Sequence, residues 1–157
     1  MKLLSLDISS TCTGYTKLEV EDGVRHIETS HIKPKGKDIY SRMVQIDAIM
    51  RERGLYSWAD LCIVEGYAYG GKALAALAEM NGIIKFNLTL NEVPFDNIAP
   101  TTVKKQITGN GRAKKEEVRE ALSKFPIFEG YEFQNEDESD SAAVGLSYLM
   151  REGIWKN

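Results

Sequence analysis

Lys2-Leu3-Leu4-Ser5-Leu6-Asp7 and Leu61-Cys62-Ile63-Val64-Glu65 are two short apolar runs that each end in a carboxylate. Runs of this length with little polar alternation read as strands buried on both faces. A carboxylate closing such a run is costly to desolvate, so both ends call for a cation nearby. Two more acids, Asp137 and Asp140, open a late helix three residues apart and therefore project from one face of it.

Outward from the first run, Ser10-Thr11-Cys12-Thr13-Gly14 forms a turn, and a second strand runs from Tyr15 to Val20. Glu21-Asp22-Gly23 closes a tight hairpin onto a third strand, Val24 to Ile32, so the first three strands are antiparallel. His26 and His31 sit an odd number of residues apart on that strand and are expected to face opposite ways. After Lys33-Pro34-Lys35-Gly36-Lys37, the spacing of Ile39, Met43, Ile46 and Met50 predicts a helix that Gly54 stops. A strand that follows a helix returns parallel to the first, which places Leu61–Glu65 beside Lys2–Asp7.

Gly66, Gly70 and Gly71 loosen the backbone before a long helix, Lys72 to Leu90, with apolar positions on more than one side. One side covers the sheet and the other is expected to meet a second subunit. Val93 to Ile98 reads as a fifth strand. A short helix opens at Ala99-Pro100-Thr101 and runs to Thr108, where the Gly109-Asn110-Gly111 turn breaks it. Helices over Arg112 to Lys124 and Asp137 to Arg151 complete the chain. The expected fold class is α/β: a five-stranded mixed sheet, its first three strands antiparallel, flanked by helices.

The chain has 157 residues, 43% of them hydrophobic, which suits one domain over residues 1–157 with a core of ordinary size. No stretch approaches the ~18 apolar residues of a membrane span, and the N-terminus enters a strand at once, so a soluble cytoplasmic protein is expected. Cys12 and Cys62 lack a second cysteine or a histidine at zinc spacing, which argues against a disulfide scaffold or a zinc ribbon. Net charge is −3, but its distribution is uneven. Thr101–Phe125 carries seven basic residues against three acidic ones, a balance of +4, whereas Pro126–Asp140 carries six acidic residues and no basic one. That polarity suits a metal-charged pocket flanked by a phosphate-binding surface.

Asp137-x-x-Asp140 alone also fits N-capping of a helix. In a parallel arrangement, however, the carboxyl ends of neighbouring strands share one sheet edge, so Asp7, Glu65, Asp137 and Asp140 can converge. Gathered like charges raise one another's pKa and oppose folding unless a divalent cation neutralises them. All four donors are hard oxygens, which select Mg²⁺ or Mn²⁺ over zinc. Two such ions about 4 Å apart can activate water and stabilise a leaving oxygen in phosphoryl transfer.

The element order resembles the ribonuclease-H-like nuclease fold, and within it the RuvC family of Holliday junction resolvases, in a phage-type version. The specific stretches are Leu6-Asp7-Ile8-Ser9 with Thr13-Gly14, Val64-Glu65, Ala99 to Val118, and Asp137-Glu138-Ser139-Asp140-Ser141-Ala142-Ala143. The resemblance covers nearly the whole chain. It implies that Asp7, Glu65, Asp137 and Asp140 are metal ligands for hydrolysis of one DNA strand, with two Mg²⁺ ions per site and Mn²⁺ as substitute. A homodimer would then cut symmetric positions across a four-way junction or other branched DNA, in the host cytoplasm if a phage encodes it. Lys104 and Lys115 match the family's DNA-contacting or catalytic lysines, and Lys105, Arg112 and Lys114 extend the basic DNA surface. Their role would be to hold the scissile phosphate and share transition-state charge.

Two departures stand out. After Glu65 the chain reads as shorter than the cellular bacterial enzymes, and either Tyr67 or Tyr69 matches their junction wedge, where a ring could stack on unpaired bases. After Asp140, Ser141-Ala142-Ala143 replaces the usual Ala-Leu-Ala, keeping small residues against the sheet. Two other classes compete. Leu6 to Gly14 is similar to the phosphate-binding hairpin of sugar kinases and actin-like ATPases, but that fold needs two related domains, and ATP titration separates the two cases. A non-catalytic junction-binding protein would have no reason to keep all four carboxylates.

Overall fold

In the computed structural model, which describes residues 1–67 and 74–155, β1 (Lys2–Asp7) is the middle of a five-stranded sheet. Its order is β3-β2-β1-β4-β5. β2 (Thr13–Val20) and β3 (Val24–Ile32) run antiparallel in sequence on one side, and β4 (Leu61–Glu65) and β5 (Phe95–Ile98) run parallel on the other. β1 is central because both of its faces are apolar. Leu4 and Leu6 enter a core beneath α1 (Ile39–Glu52), the short α2 (Leu55–Trp58) and α3 (Leu74–Leu90). Leu3 enters a second core beneath α4 (Pro100–Thr108), α5 (Lys115–Leu122) and α6 (Glu136–Arg151). Among the described residues no helix is long and apolar enough to cross a membrane.

The antiparallel half departs from simple alternation at one point. Lys17 pairs with Glu28 and Leu18 with His26, so Ile27 is an extra residue bulged out of β3. The bulge resets the alternation. His26 and His31 therefore face the same side, the α6 side, where His26 meets Thr29 Oγ1 at 2.8 Å and His31 meets Glu138 Oε1 at 2.8 Å. The expectation that they face opposite ways is corrected.

Other boundaries shift for local reasons. Val93 N–H donates back to the Leu88 carbonyl at the end of α3, so β5 begins only at Phe95. Asn110 Oδ1 accepts from Arg112 N–H at 3.0 Å, which holds the Gly-Asn-Gly turn closed and delays α5 to Lys115. Sequence pattern marks no element over residues 55–58, yet Leu55 and Tyr56 are buried there as one helical turn. The expected start of α3 at Lys72 lies outside the described residues.

α6 lies across β1 and β2 and is seated by hydroxyl groups. Ser5 Oγ, fully buried, donates to the Ser141 carbonyl at 2.7 Å, and Thr16 Oγ1 meets Ser141 Oγ at 2.8 Å and Thr29 Oγ1 at 2.9 Å. Ser141 is thus a bonded contact and not merely a small residue. The helix also approaches β2 so closely that a Cβ on Gly14 would lie 1.9 Å from the Asp137 carbonyl oxygen. Gly14→Ala must displace the start of α6, and overpacking of this kind costs about 1–3 kcal/mol. Thermal melts should show Tm several degrees below wild type, at about 2–4 °C per kcal/mol for a chain of this size. Gly82→Ala on the exposed side of α3, where an added Cβ meets nothing within 4 Å, should instead raise Tm slightly through helix propensity.

Candidate active site

Strand register brings the first two carboxylates together. Leu6 pairs with Val64, so Asp7 and Glu65 stand side by side at the carboxyl ends of adjacent parallel strands. The same row runs on through Asp7 to Gly14 and His31 on one side and from Glu65 to Ile98 on the other. Ile98 belongs to the core beneath α6, so this row faces that helix.

Above the row is a cleft of about 180 Å³ whose lining includes Asp7, Glu65, Asp140, Lys104 and Lys115, with Val103 and Val118 in its apolar wall. Lys115 Nζ donates to Asp140 Oδ2 at 2.8 Å and lies 3.5 Å from Glu136 Oε2. The hydrogen bond to Asp140 raises the Lys115 pKa. Burial raises that of Asp140, with Lys115 acting against it.

Asp7 is pushed up to about 7, first by burial and then by the charges of Asp140 and Asp137. Glu65 is pushed up to about 8, first by burial and then by Asp7 and Asp140. Lys115 eases both, and Lys104 eases Glu65, but neither lysine reverses the shift. Near neutral pH these two groups hold charge only at a cost, which a cation in the cleft would remove. The donors are carboxylate oxygens, so a hard divalent ion fits them.

Asp137 stands apart from this lining. Its backbone carbonyl rests on Gly14, and its side chain lies near enough to Cys12 to help burial push that thiol up to about 12. Among the described residues, no three acidic, histidine or cysteine side chains stand close enough to hold one ion as they are. Three of the four expected carboxylates therefore share a cleft, and the fourth lies at its border.

The N-capping alternative for Asp137 and Asp140 fails, because Asn135 is the cap: its Oδ1 accepts from Glu138 N–H at 3.0 Å. Asn135-x-x-Glu138 is legible in sequence as that pattern. Of the expected DNA-contacting residues, Lys105, Arg112 and Lys114 lie outside the cleft lining, toward solvent. Tyr67 is half-buried just beyond β4, and Tyr69 lies outside the described residues. Sequence pattern assigns no role to His31 or Glu138, which bond each other beside Asp137.

The chain matches, over residues 3–148, the family described as "Crossover junction endodeoxyribonuclease RuvC". A protein of that description from Brachyspira hyodysenteriae is 34% identical over 164 aligned positions, covering 100% of this chain and 99% of the relative. One from Ehrlichia chaffeensis is 30% identical over 151 positions, covering 94% and 96%. Both are bacterial proteins, and nothing in their match singles out a phage-type version. Among solved structures, Thermus thermophilus RuvC superposes with a TM-score of 0.79 at 22% identity, covering 98% of this chain and 97% of the other. T. thermophilus RuvC in complex with Holliday junction substrate gives 0.80 at 20%, covering 98% and 96%. The fold is thus the ribonuclease-H-like one expected.

The shifted carboxyls set a pH dependence. Folded Asp7 and Glu65 keep protons that the unfolded chain gives up near its ordinary values of 3.8 and 4.5, so the folded state binds more protons between those values and about 7 and 8. Their contribution to stability is complete below pH ~4 and is lost as pH rises through the folded values. In chelator, Tm should therefore fall between pH ~5 and ~8; Asp7→Asn should flatten that slope, and Mn²⁺ should oppose it. A Tm that climbs across that range in chelator would contradict the assignment.

Proposed function

Because this chain belongs to the RuvC family of crossover junction endodeoxyribonucleases, we propose that it is a structure-selective DNA endonuclease resolving four-way junctions by paired phosphodiester hydrolysis. The observation that carries this reading is the placement of Asp7 and Glu65, forced side by side and shifted upward, in one cleft with Asp140 and two lysines. Residues 1–157 act as one nuclease domain.

Divalent-metal dependence accompanies the family, and the finer assignment is Mg²⁺, two ions per site, with Mn²⁺ as substitute. Asp7, Glu65 and Asp140 would close on the metal from the cleft walls, and Asp137 would join them from its border. The chemistry supplied when metal is bound is activation of water and neutralisation of charge on the departing oxygen. The chain's own residues do the rest. Lys104 and Lys115 line the cleft and meet the scissile phosphate, where fixed positive charge lowers the energy of the transition state. Lys105, Arg112 and Lys114 track the backbone farther out, and Tyr67 or Tyr69 stacks at the crossover.

Paired cuts need two sites. Ile83, Phe86 and Leu90 leave one face of α3 apolar and exposed, at 39%, 60% and 62%, with Phe95 of β5 exposed at 37%. A second copy covering that face makes the homodimer. Its work on DNA would take place in the cytoplasm.

Glu65→Gln should abolish nicking of a synthetic four-way junction in Mg²⁺ while leaving junction affinity nearly unchanged, as read by strand-mapped cleavage and gel shift. Full activity in that variant would overturn the reading. Lys104→Ala with Lys105→Ala should weaken junction binding and reduce the slope of log affinity against log salt by about one for each phosphate no longer neutralised. Affinity that stays unchanged across salt would move the DNA surface elsewhere.

A further inference from the structure

Beside the carboxylates assigned to the metal is a buried carboxyl group that stability alone would not select. Glu138 lies between Asp137 and Asp140 in sequence and is only 2% exposed. A carboxyl group is costly to bury, and an apolar residue would cover the sheet at lower cost. Both of its oxygens are bonded. Oε1 accepts from His31 Nδ1–H at 2.8 Å, and Oε2 accepts from Gln134 N–H at 2.8 Å. One donor comes from the sheet and the other from the segment leading into α6. The Glu138 backbone is held as well: its N–H donates to Asn135 Oδ1 at 3.0 Å, and its carbonyl accepts from Ser141 Oγ at 2.8 Å.

His31 closes the row that contains Asp7 and Glu65, reached through Gly14. Its place toward α6 puts it on the same side as His26 across the bulge at Ile27. A bond from the rigid sheet to Glu138 therefore fixes rotation of the helix about its axis at the residue between two carboxylates. Any such rotation would swing Asp137 and Asp140 together relative to Asp7 and Glu65. His31 bonds none of the four ligands itself and acts through the helix that carries two of them; groups that orient ligands from outside the metal's own shell set how well those ligands are aimed.

We propose that His31 is a positioning residue, which through Glu138 sets the aim of Asp137 and Asp140 at the metal. The inference rests on the metal-dependent reading above. It is tested on the full chain with His31→Leu, which removes the donor, and His31→Asn, whose amide N–H stands where Nδ1–H does.

Mn²⁺ binding is followed by electron paramagnetic resonance, junction binding in chelator by gel shift, and folding by thermal melt. His31→Leu should bind junction as wild type does, yet bind Mn²⁺ about ten-fold more weakly and need correspondingly more Mn²⁺ for half-maximal nicking. His31→Asn should recover most of that loss. Wild-type Mn²⁺ affinity in His31→Leu overturns the inference alone, as does an equal loss in the Leu and Asn variants, which would mark a packing effect. If His31→Leu melts too low to titrate, His31→Gln, whose amide stands nearer the Nε2 position, takes its place: weakened Mn²⁺ binding supports the inference and wild-type binding overturns it. A wild-type chain that neither binds Mn²⁺ nor nicks a junction overturns this inference together with the reading beneath it.

Discussion

Two carboxylates held side by side by parallel strand register set the terms for the rest of this structure. Asp7 and Glu65 cannot separate without breaking the pairing of Leu6 with Val64 in the middle of the sheet. Burial and neighbouring charge raise both, so the cleft is tensioned toward a cation. The apolar runs that place them there bury Leu3, Leu4, Leu6, Cys62, Ile63 and Val64 completely. Hydrophobic burial of those strands offsets the unfavourable electrostatics at their ends.

The third component, α6, is seated with unusual specificity for a helix on a sheet. Ser5, Thr16, Thr29 and Ser141 form a buried run of hydroxyl contacts beneath it, and Gly14 opens the space for its first turn. Apolar packing alone tolerates sliding and rotation, whereas directional bonds to buried groups do not. The helix carries Asp140 into the cleft and keeps Asp137 at its border, next to Cys12. Lys115, on the neighbouring α5, then meets Asp140 across the gap between the two helices.

The division of charge follows from this layout. The basic stretch forms α4, α5 and the turn between them, placing Lys104 and Lys115 on the cleft and Lys105, Arg112 and Lys114 farther out. The acidic stretch leads into α6. A polyanion approaching the cleft thus meets ammonium groups.

Much of this was legible in the chain itself. Apolar runs ending in Asp7 and Glu65, the hairpin turn at Glu21-Asp22-Gly23 and the helical spacings carry local information, so the strand directions and the fold class could be read from them. The convergence of Asp7 with Glu65 also followed, because parallel pairing leaves few registers once both faces are buried. The bulge at Ile27 and the His31–Glu138 bond were not legible. Strand alternation has no marker for an inserted residue, and a buried carboxylate in a helix rich in acids looks like any solvated one. Sequence by itself determined on which elements the four carboxylates and the basic stretch ride. Only the tertiary structure decided how they face one another, because α6 is seated by hydroxyl and imidazole contacts between residues more than a hundred positions apart, whose partners no local pattern names.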